Sequence, residues 1–224
     1  PAIKMDLLPS KLWQGQILIR VQDYSYSIAK KTLWQAASFS IKCGMKLAII
    51  GPNGCGKTTL LKEFLKAHSN TSDNIQIAGG GKIGYYSQNI DILDPAKNLL
   101  GNLQETSSQS ETLLRSILIR LRFQREDFFK PIHILSGGEK AKAALAKIFV
   151  SDCNVLMLDE PTNHLDLDAV TALEELLCSY TGTLIFVTHD RRLLKTTATN
   201  LLVFEKNRLN FFTGTYTDYL KTQI

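Results

Sequence analysis

The sequence predicts an α/β fold, a sheet covered by helices, on three observations. Short segments rich in β-branched and apolar residues alternate with stretches in which apolar side chains recur every three or four positions. A glycine-rich turn, Gly51-Pro52-Asn53-Gly54-Cys55-Gly56-Lys57-Thr58, lies between an apolar strand and an apolar-faced helix. The chain has 224 residues, 44% of them hydrophobic, which is enough to bury a sizeable core around one large domain.

In chain order, residues 17–21, 37–41 and 46–50 read as strands. The helix after the glycine turn is placed by Leu60, Leu61, Phe64 and Leu65 at helical spacing. Residues 71–81 are polar and glycine-rich and read as a loop, followed by a short strand over 82–87. From 89 to 133 the period is mostly helical, with Leu99, Leu100, Leu103, Leu113, Leu114, Ile117, Leu118 and Leu121 apolar. Asp94-Pro95 and Lys130-Pro131 interrupt it, because proline disfavours helix in the residue before it. A helix after Gly137 turns Ala143, Ala144, Ile148 and Phe149 inward, so residues of about 89–150 form a helical subdomain inserted into the α/β core. A strand at 154–158, a helix over 168–180, a strand at 183–187 and a hairpin of 201–205 and 208–212 around Lys206-Asn207 complete the chain. Residues 1–15 read as the end of a linker and 16–224 as the domain.

Composition excludes several classes. No apolar run approaches the roughly 20 residues that cross a bilayer, so no membrane insertion is expected. Four cysteines, Cys43, Cys55, Cys153 and Cys178, have neither metal-ligand spacing nor the density of a secreted disulfide scaffold, which fits a reducing cytoplasm. Twenty-six basic against 21 acidic residues leave a formal charge of +5, scattered along the chain, which permits a polyanionic partner without specifying one.

The glycine turn fits G-x-x-x-x-G-K-[ST] in the strand-to-helix context that the motif requires. Its backbone N–H groups, from Asn53, Gly54, Cys55, Gly56, Lys57, Thr58 and Thr59, would turn inward around phosphates, helped by the positive end of the helix. Lys57 would reach the β and γ phosphates, and the Thr58 hydroxyl would serve Mg²⁺. The strand 155–158 ends in Asp159-Glu160. With a phosphate loop in place, Asp159 is suited to the Mg²⁺ shell and Glu160 to polarising an attacking water. Residues 183–189, Thr-Leu-Ile-Phe-Val-Thr-His, place His189 at the carboxyl edge of another strand, where open α/β sheets bind ligands. Leu135-Ser136-Gly137-Gly138-Glu139 opens a further helix and offers a second phosphate-binding end.

With the last of these motifs the chain resembles the nucleotide-binding domains of the ATP-binding cassette (ABC) family, with the motifs in the family's order across almost the whole length. The resemblance implies an ABC-type core with an antiparallel β-subdomain, an ATPase using Mg²⁺, and a head-to-tail partner cassette, because the signature Ser136, Gly137, Gly138 and Glu139 acts in trans on the partner's ATP. It makes Glu160 the general base, His189 the γ-phosphate contact, and Gln88 a sensor of Mg²⁺ and the attacking water. Thr58, Gln88 and Asp159 become the metal-side residues, and Asn163 and Asp166 belong to the D-loop. The family stacks adenine on an aromatic residue upstream of the phosphate loop. Here Ile28 aligns with that position, and Tyr26 is taken as its substitute.

Glu139-Lys140, the Asn163-His164-Leu165-Asp166 wording, the short interval from Gln88 to Leu135 and the ending Thr213-Gly214-Thr215-Tyr216 resemble the ABC-F group, whose members act on ribosomes without transmembrane partners. The resemblance therefore implies the second cassette of a two-cassette ribosome-associated protein, either a translation factor or an antibiotic-resistance factor. The other reading is the ATPase domain of a membrane transporter. A chromosome-maintenance ATPase is set aside because no long coiled coil separates the phosphate loop from Asp159.

Overall fold

The computed structural model describes residues 13–29, 31–70, 72–87 and 92–223. β1 (Ile17–Ile28) and β2 (Lys31–Lys42) pair antiparallel, β3 (Lys46–Ile50) leads through the glycine turn into α1 (Lys57–Ser69), β4 (Ile75–Ile77) joins the other edge of β1, and β5 (Ile83–Tyr86) follows. Next come α2 (Leu99–Gln104) and α3 (Glu111–Arg120). Two 3₁₀ turns, Arg125–Phe129 and Ile132–Ile134, precede α4 (Gly137–Val150). The chain then runs through β6 (Val155–Asp159), α5 (Leu167–Ser179), β7 (Thr183–Val187), α6 (Arg191–Thr197), β8 (Asn200–Glu205), β9 (Arg208–Thr213) and α7 (Tyr216–Lys221).

Among the described residues the strands form two sheets: a three-stranded antiparallel one in the order β2-β1-β4, and a six-stranded one in the order β5-β6-β7-β3-β8-β9. The six-stranded sheet is parallel except for the closing β8–β9 hairpin. The α/β expectation and the antiparallel β-subdomain are therefore present.

Both faces of the larger sheet are covered, which is why its strands read as unbroken apolar runs. Alternate residues divide cleanly. Leu47, Ile49, Val155, Met157, Ile185, Val187, Leu202 and Phe204 face a core shared with α1 and the antiparallel sheet. Ala48, Leu156, Leu158, Leu184, Phe186, Leu201 and Val203 face a second core shared with α2, α3, α4, α5 and α6.

Several boundaries differ from the sequence expectation. The strands expected at 17–21 and 37–41 are the base of a longer hairpin. Its outer half alternates half-buried Tyr24 and Tyr26 with exposed serines, and Asp23 and Ala36 at positive φ offset its register. β4 lies inside the segment read as a loop, because only Ile75 and Ile77 alternate there, too short a pattern to register. The 89–133 stretch holds less α-helix than its periodicity suggests. Two short helices were not anticipated, although each carries a cap. Asp190 accepts from the Arg192 and Leu193 amides at 2.8 and 3.2 Å to start α6. Thr215 and Asp218 form a capping box at α7.

Phe186 lies wholly buried at the centre of the sheet, on the helical side. Phe186→Ala should lower stability by about 3–5 kcal/mol through lost burial and the cavity left behind. A guanidinium titration of the chain reads this directly, and a midpoint within error of the parent would contradict the packing described.

Candidate functional site

Three parallel strands set the site. The ladder places Ile49 level with Val187, and Val187 level with Asp159, so the carboxyl ends of β3, β7 and β6 open on one edge. The glycine turn, Asp159-Glu160 and His189 leave the sheet there. Together with Ile28, Lys31 and Leu33 of the β1–β2 hairpin they line a cavity of about 460 Å³.

The glycine turn is held in its shape by close packing. A Cβ on Gly51, at φ +153°, would stand 2.6 Å from Phe204 Cβ. One on Gly56, at φ +114°, would stand 3.0 Å from Leu33 Cδ1 and 3.2 Å from the Trp34 ring. No side chain caps α1 and its first turn holds no acid, so its leading amides are left to an anion. Lys57 is buried, and its Nζ donates to the Gly51 and Pro52 carbonyls at 3.0 and 3.1 Å. Asn53, Gly54, Gly56, Lys57, Thr58 and Thr59 all line the cavity. Cys55 lines a smaller neighbouring hollow of about 220 Å³, and burial pushes its thiol up.

Asp159 is the buried carboxylate of the site. It is 4% exposed, and its Oδ1 is buried with no hydrogen-bond partner. Burial pushes its carboxyl up, opposed by a hydrogen bond with the Thr58 side chain and by the charges of Lys62 and Lys57. A hard cation with its waters would satisfy such an oxygen. Magnesium characteristically takes one or two carboxylates and completes its shell with phosphate and water, so Asp159 and the Thr58 hydroxyl fit the expected ion. Among the described residues no cluster of three or more His, Cys, Asp or Glu could hold a metal without such help.

Glu160 sits at φ +50°, a left-handed conformation that costs a non-glycine residue about 1–3 kcal/mol. Its amide donates to the Val187 carbonyl at 2.9 Å, which ties the turn after β6 to the end of β7. Its carboxylate accepts from the His189 amide at 3.3 Å and lies 3.3 Å from His189 Nε2. The pair is asymmetric: the Glu160 side chain is 13% exposed and that of His189 58%. A turn that strains the backbone thus aims a shielded carboxylate and an exposed imidazole into one cavity.

The remaining expectations separate. Ser136 caps α4, accepting from the Glu139 amide at 3.3 Å while its own amide donates to Glu139 Oε2 at 2.8 Å. That backbone contact and the Ser136 hydroxyl hold the Glu139 carboxyl below its usual range. Gly137 is open on its Cβ side, whereas a Cβ on Gly138 would meet the His164 carbonyl at 3.0 Å. None of Ser136 to Glu139 lines the cavity. Asn163 is exposed, its amide bonded to the Glu160 carbonyl at 3.2 Å. Asp166 caps α5 through the Ala169 amide at 2.8 Å and lies 3.9 Å from Lys142 Nζ. Gln88 and residues 1–12 of the expected linker lie outside the described residues.

Tyr26 stands apart from the other expected residues. Its ring stacks on Trp34, centroids 5.0 Å apart and planes at 18°, and it does not line the cavity. On that strand Tyr24, Tyr26 and Ile28 alternate with serines. Tyr24 is drawn to Glu63 on α1 and Tyr26 to Trp34, and only Ile28, at the strand's end, reaches the cavity. Lys31 and Leu33, which pattern reading did not single out, enter it because the hairpin pairs Ile28 with Lys31.

A family model described as ABC transporter matches residues 34–163. Among curated proteins the chain is 39% identical to the putative ATP-binding protein YdiF of Bacillus subtilis, over 92% of this chain and 32% of that one. It is 37% identical to the ATP-binding protein Uup of Escherichia coli (91% and 33%) and 33% identical to ABC transporter F family member 5 of Arabidopsis thaliana (96% and 32%). The chain thus spans about a third of the length of these relatives. Among solved structures it resembles the ATP binding subunit of an ABC transporter, with TM-score 0.74 and 21% identity over 92% of this chain and 93% of the other. It also resembles an ATP-binding cassette captured as a post-hydrolysis dimer with ADP and Pi, with TM-score 0.71 and 18% identity over 88% and 98%. At these identities the structural likeness concerns the fold.

The buried, partnerless oxygen of Asp159 makes a measurable claim. Because its folded pKa is raised, the folded chain keeps that proton to higher pH than the unfolded chain, so ionisation opposes folding as pH rises through the folded value. Asp159→Asn should therefore raise the Tm of the ligand-free chain at pH 7 by about 2–4 °C, the effect of about 1 kcal/mol in a domain of this size. The gain should shrink as pH falls toward the ordinary carboxylate value of about 3.9. Thermal scans from pH 7 downward check it, and a lower Tm at pH 7 would show that the charge supports the fold instead.

Proposed function

The chain belongs to the ABC transporter family of ATP-binding cassettes, and from that premise we propose that it binds MgATP and hydrolyses it within a head-to-tail pair of cassettes, as one cassette of an ABC-F protein that acts on the ribosome. The observation that carries the catalytic part is the convergence of Lys57, Thr58, Asp159, Glu160 and His189 on one cavity, with an unsatisfied carboxylate oxygen in its wall.

In this reading the loop amides from Asn53 to Thr59 take the phosphates, and Lys57 exchanges its Gly51 and Pro52 carbonyls for phosphate oxygens. Thr58 and Asp159 would hold Mg²⁺, which supplies charge to the phosphate oxygens when bound. Glu160, shielded and fixed by its bond to Val187, accepts a proton from the attacking water. His189, close to Glu160 and largely exposed, is free to contact the γ-phosphate side. Gln88 keeps the sensor role that the family resemblance assigns. Ser136 to Glu139 do not line the cavity of their own chain, which supports their use on a partner's nucleotide, with Asn163 and the capped Asp166 beside that interface.

The ribosome part rests on the F-family relative, on the Glu139-Lys140 and Asn163-His164 wording and on the net charge of +5, since Lys and Arg attract RNA phosphates in a salt-dependent way. No helix among the described residues is long and apolar enough to cross a membrane. ATP would close two cassettes into the binding shape and hydrolysis would release it, for a translation factor and a resistance factor alike.

Lys57→Ala should weaken ATP binding at least tenfold, about 1.4 kcal/mol, by calorimetry; unchanged affinity would remove the phosphate-loop assignment. Glu160→Gln spares the phosphate contacts and should accumulate an ATP-bound dimer on size exclusion, with hydrolysis lost. Turnover at the parent rate would mean that another group is the base. In the full-length protein the same substitution should leave it sedimenting with ribosomes in ATP and released by high salt. Recovery in the membrane fraction, with ribosomes bare, would select the transporter reading.

A further inference from the structure

The His189 imidazole is 58% exposed and meets the Glu160 carboxylate at 3.3 Å, so its place is set chiefly by its backbone. That backbone is tied on both sides. Upstream, Val187 is paired in the ladder between β3 and β6, and buried Thr188 holds its hydroxyl 3.5 Å from that of Thr162, in the turn after Glu160. Downstream, the Asp190 amide donates to the Thr188 hydroxyl at 3.1 Å, and the Asp190 carboxylate caps α6.

The turn is therefore as well placed as α6 itself. This helix has seven residues, too few to be stable alone. It buries Leu193 and Leu194, but apolar burial is non-directional. The contact that carries direction is the hydrogen bond from Arg192 Nε to Glu174 Oε2 on α5, at 2.9 Å. Glu174 is a costly residue for that place. Its side chain is 7% exposed, and its Oε1 is buried with no hydrogen-bond partner. Burial pushes its carboxyl up, the Arg192 charge opposes this, and Asp190 adds to the upward push. Replacing a buried ion pair by apolar side chains of similar volume is often neutral or stabilising, so stability gives no reason for this carboxylate.

We propose that Glu174 is a positioning residue for hydrolysis: through Arg192 it fixes the start of α6, and with it the turn that holds His189 beside Glu160. Neither Glu174 nor Arg192 lines the cavity, so the effect is exerted through His189. The inference rests on the hydrolytic reading above and deepens it. Losing the directional contact leaves the two leucines buried, so the fold should stand while the His189 turn loosens.

The test uses Glu174→Met, which removes the charge at similar volume, and Glu174→Gln, which keeps an acceptor for Arg192. The chain has four histidines, and the Cε1–H resonance of His189 is identified by its absence from His189→Ala. In ligand-free Glu174→Met that resonance should move toward the position of a solvated imidazole, while the Tm stays within about 2 °C of the parent. Glu174→Gln should return most of the shift, and Arg192→Met added to Glu174→Met should move it no further. In steady-state MgATP hydrolysis Glu174→Met should lower kcat by about tenfold and leave KM within about twofold, the pattern of a contact made in the transition state. An unmoved His189 resonance overturns the proposal, and so does a kcat at the parent value. A Tm lowered by about 5 °C or more would make Glu174 a structural residue and overturn it too. If His189→Ala hydrolyses MgATP at the parent rate, or the parent hydrolyses none, the reading beneath the inference falls and takes the inference with it, an outcome distinct from an unmoved resonance in an active parent.

Discussion

Three strands hydrogen-bonded in parallel, with Ile49, Val187 and Asp159 in one row, are the arrangement on which the remaining chemistry depends. The row holds because both faces of the sheet are buried, one against α1 and the antiparallel sheet, the other against the helices from α2 to α6. A parallel ladder brings strand ends together only if each strand returns from the far side through a helix. The phosphate loop after β3, Glu160 after β6 and His189 after β7 are neighbours for that reason. More than a hundred residues of sequence separate the loop from Glu160 and His189, and a shift of one residue in β6 or β7 would send Asp159 or Val187 to the opposite face.

Fold stability and site chemistry pull against each other along that row. Asp159 is buried without a partner on Oδ1, Lys57 is buried on two carbonyls of its own loop, and Glu160 is held at positive φ. Each is a cost in the unliganded chain. Under the proposed function each would become useful when a phosphate and its cation arrive: an oxygen to accept the cation, an ammonium to meet the phosphate, and a carboxylate already aimed. The surrounding core is dense and apolar, and it is what makes such local costs tolerable.

The segment that leads away from the site has a different logic. Gly138 packs on the His164 carbonyl, and Lys142 of α4 lies between Asp166 and the Phe123 ring, 5.0 Å from the ring centroid. Farther along α4, Lys147 donates to the Ile92 carbonyl at 2.8 Å, anchoring the chain just past residues 88–91. The signature end of α4, the turn after Glu160 and the entry to the helical subdomain are thus braced against one another.

Much of this was legible in the residues alone. The alternation of apolar strands and helices specified the α/β class, because strands buried on both faces must be apolar throughout. The loop at 51–58, Asp159-Glu160, His189 and the Ser136–Glu139 cap were legible because phosphate chemistry demands particular residue types at fixed local spacing. What local spacing cannot encode is which side chain a distant neighbour will claim. Tyr26 was the natural aromatic candidate for the cavity, yet Trp34 on the facing strand takes its ring, and Ile28, Lys31 and Leu33 arrive through a hairpin pairing with two register shifts at left-handed residues. The sequence determined the chemistry of the phosphate end by itself. The tertiary structure alone decided the wall of Ile28, Lys31 and Leu33, because that wall is assembled from long-range strand pairing and ring packing that no short motif carries.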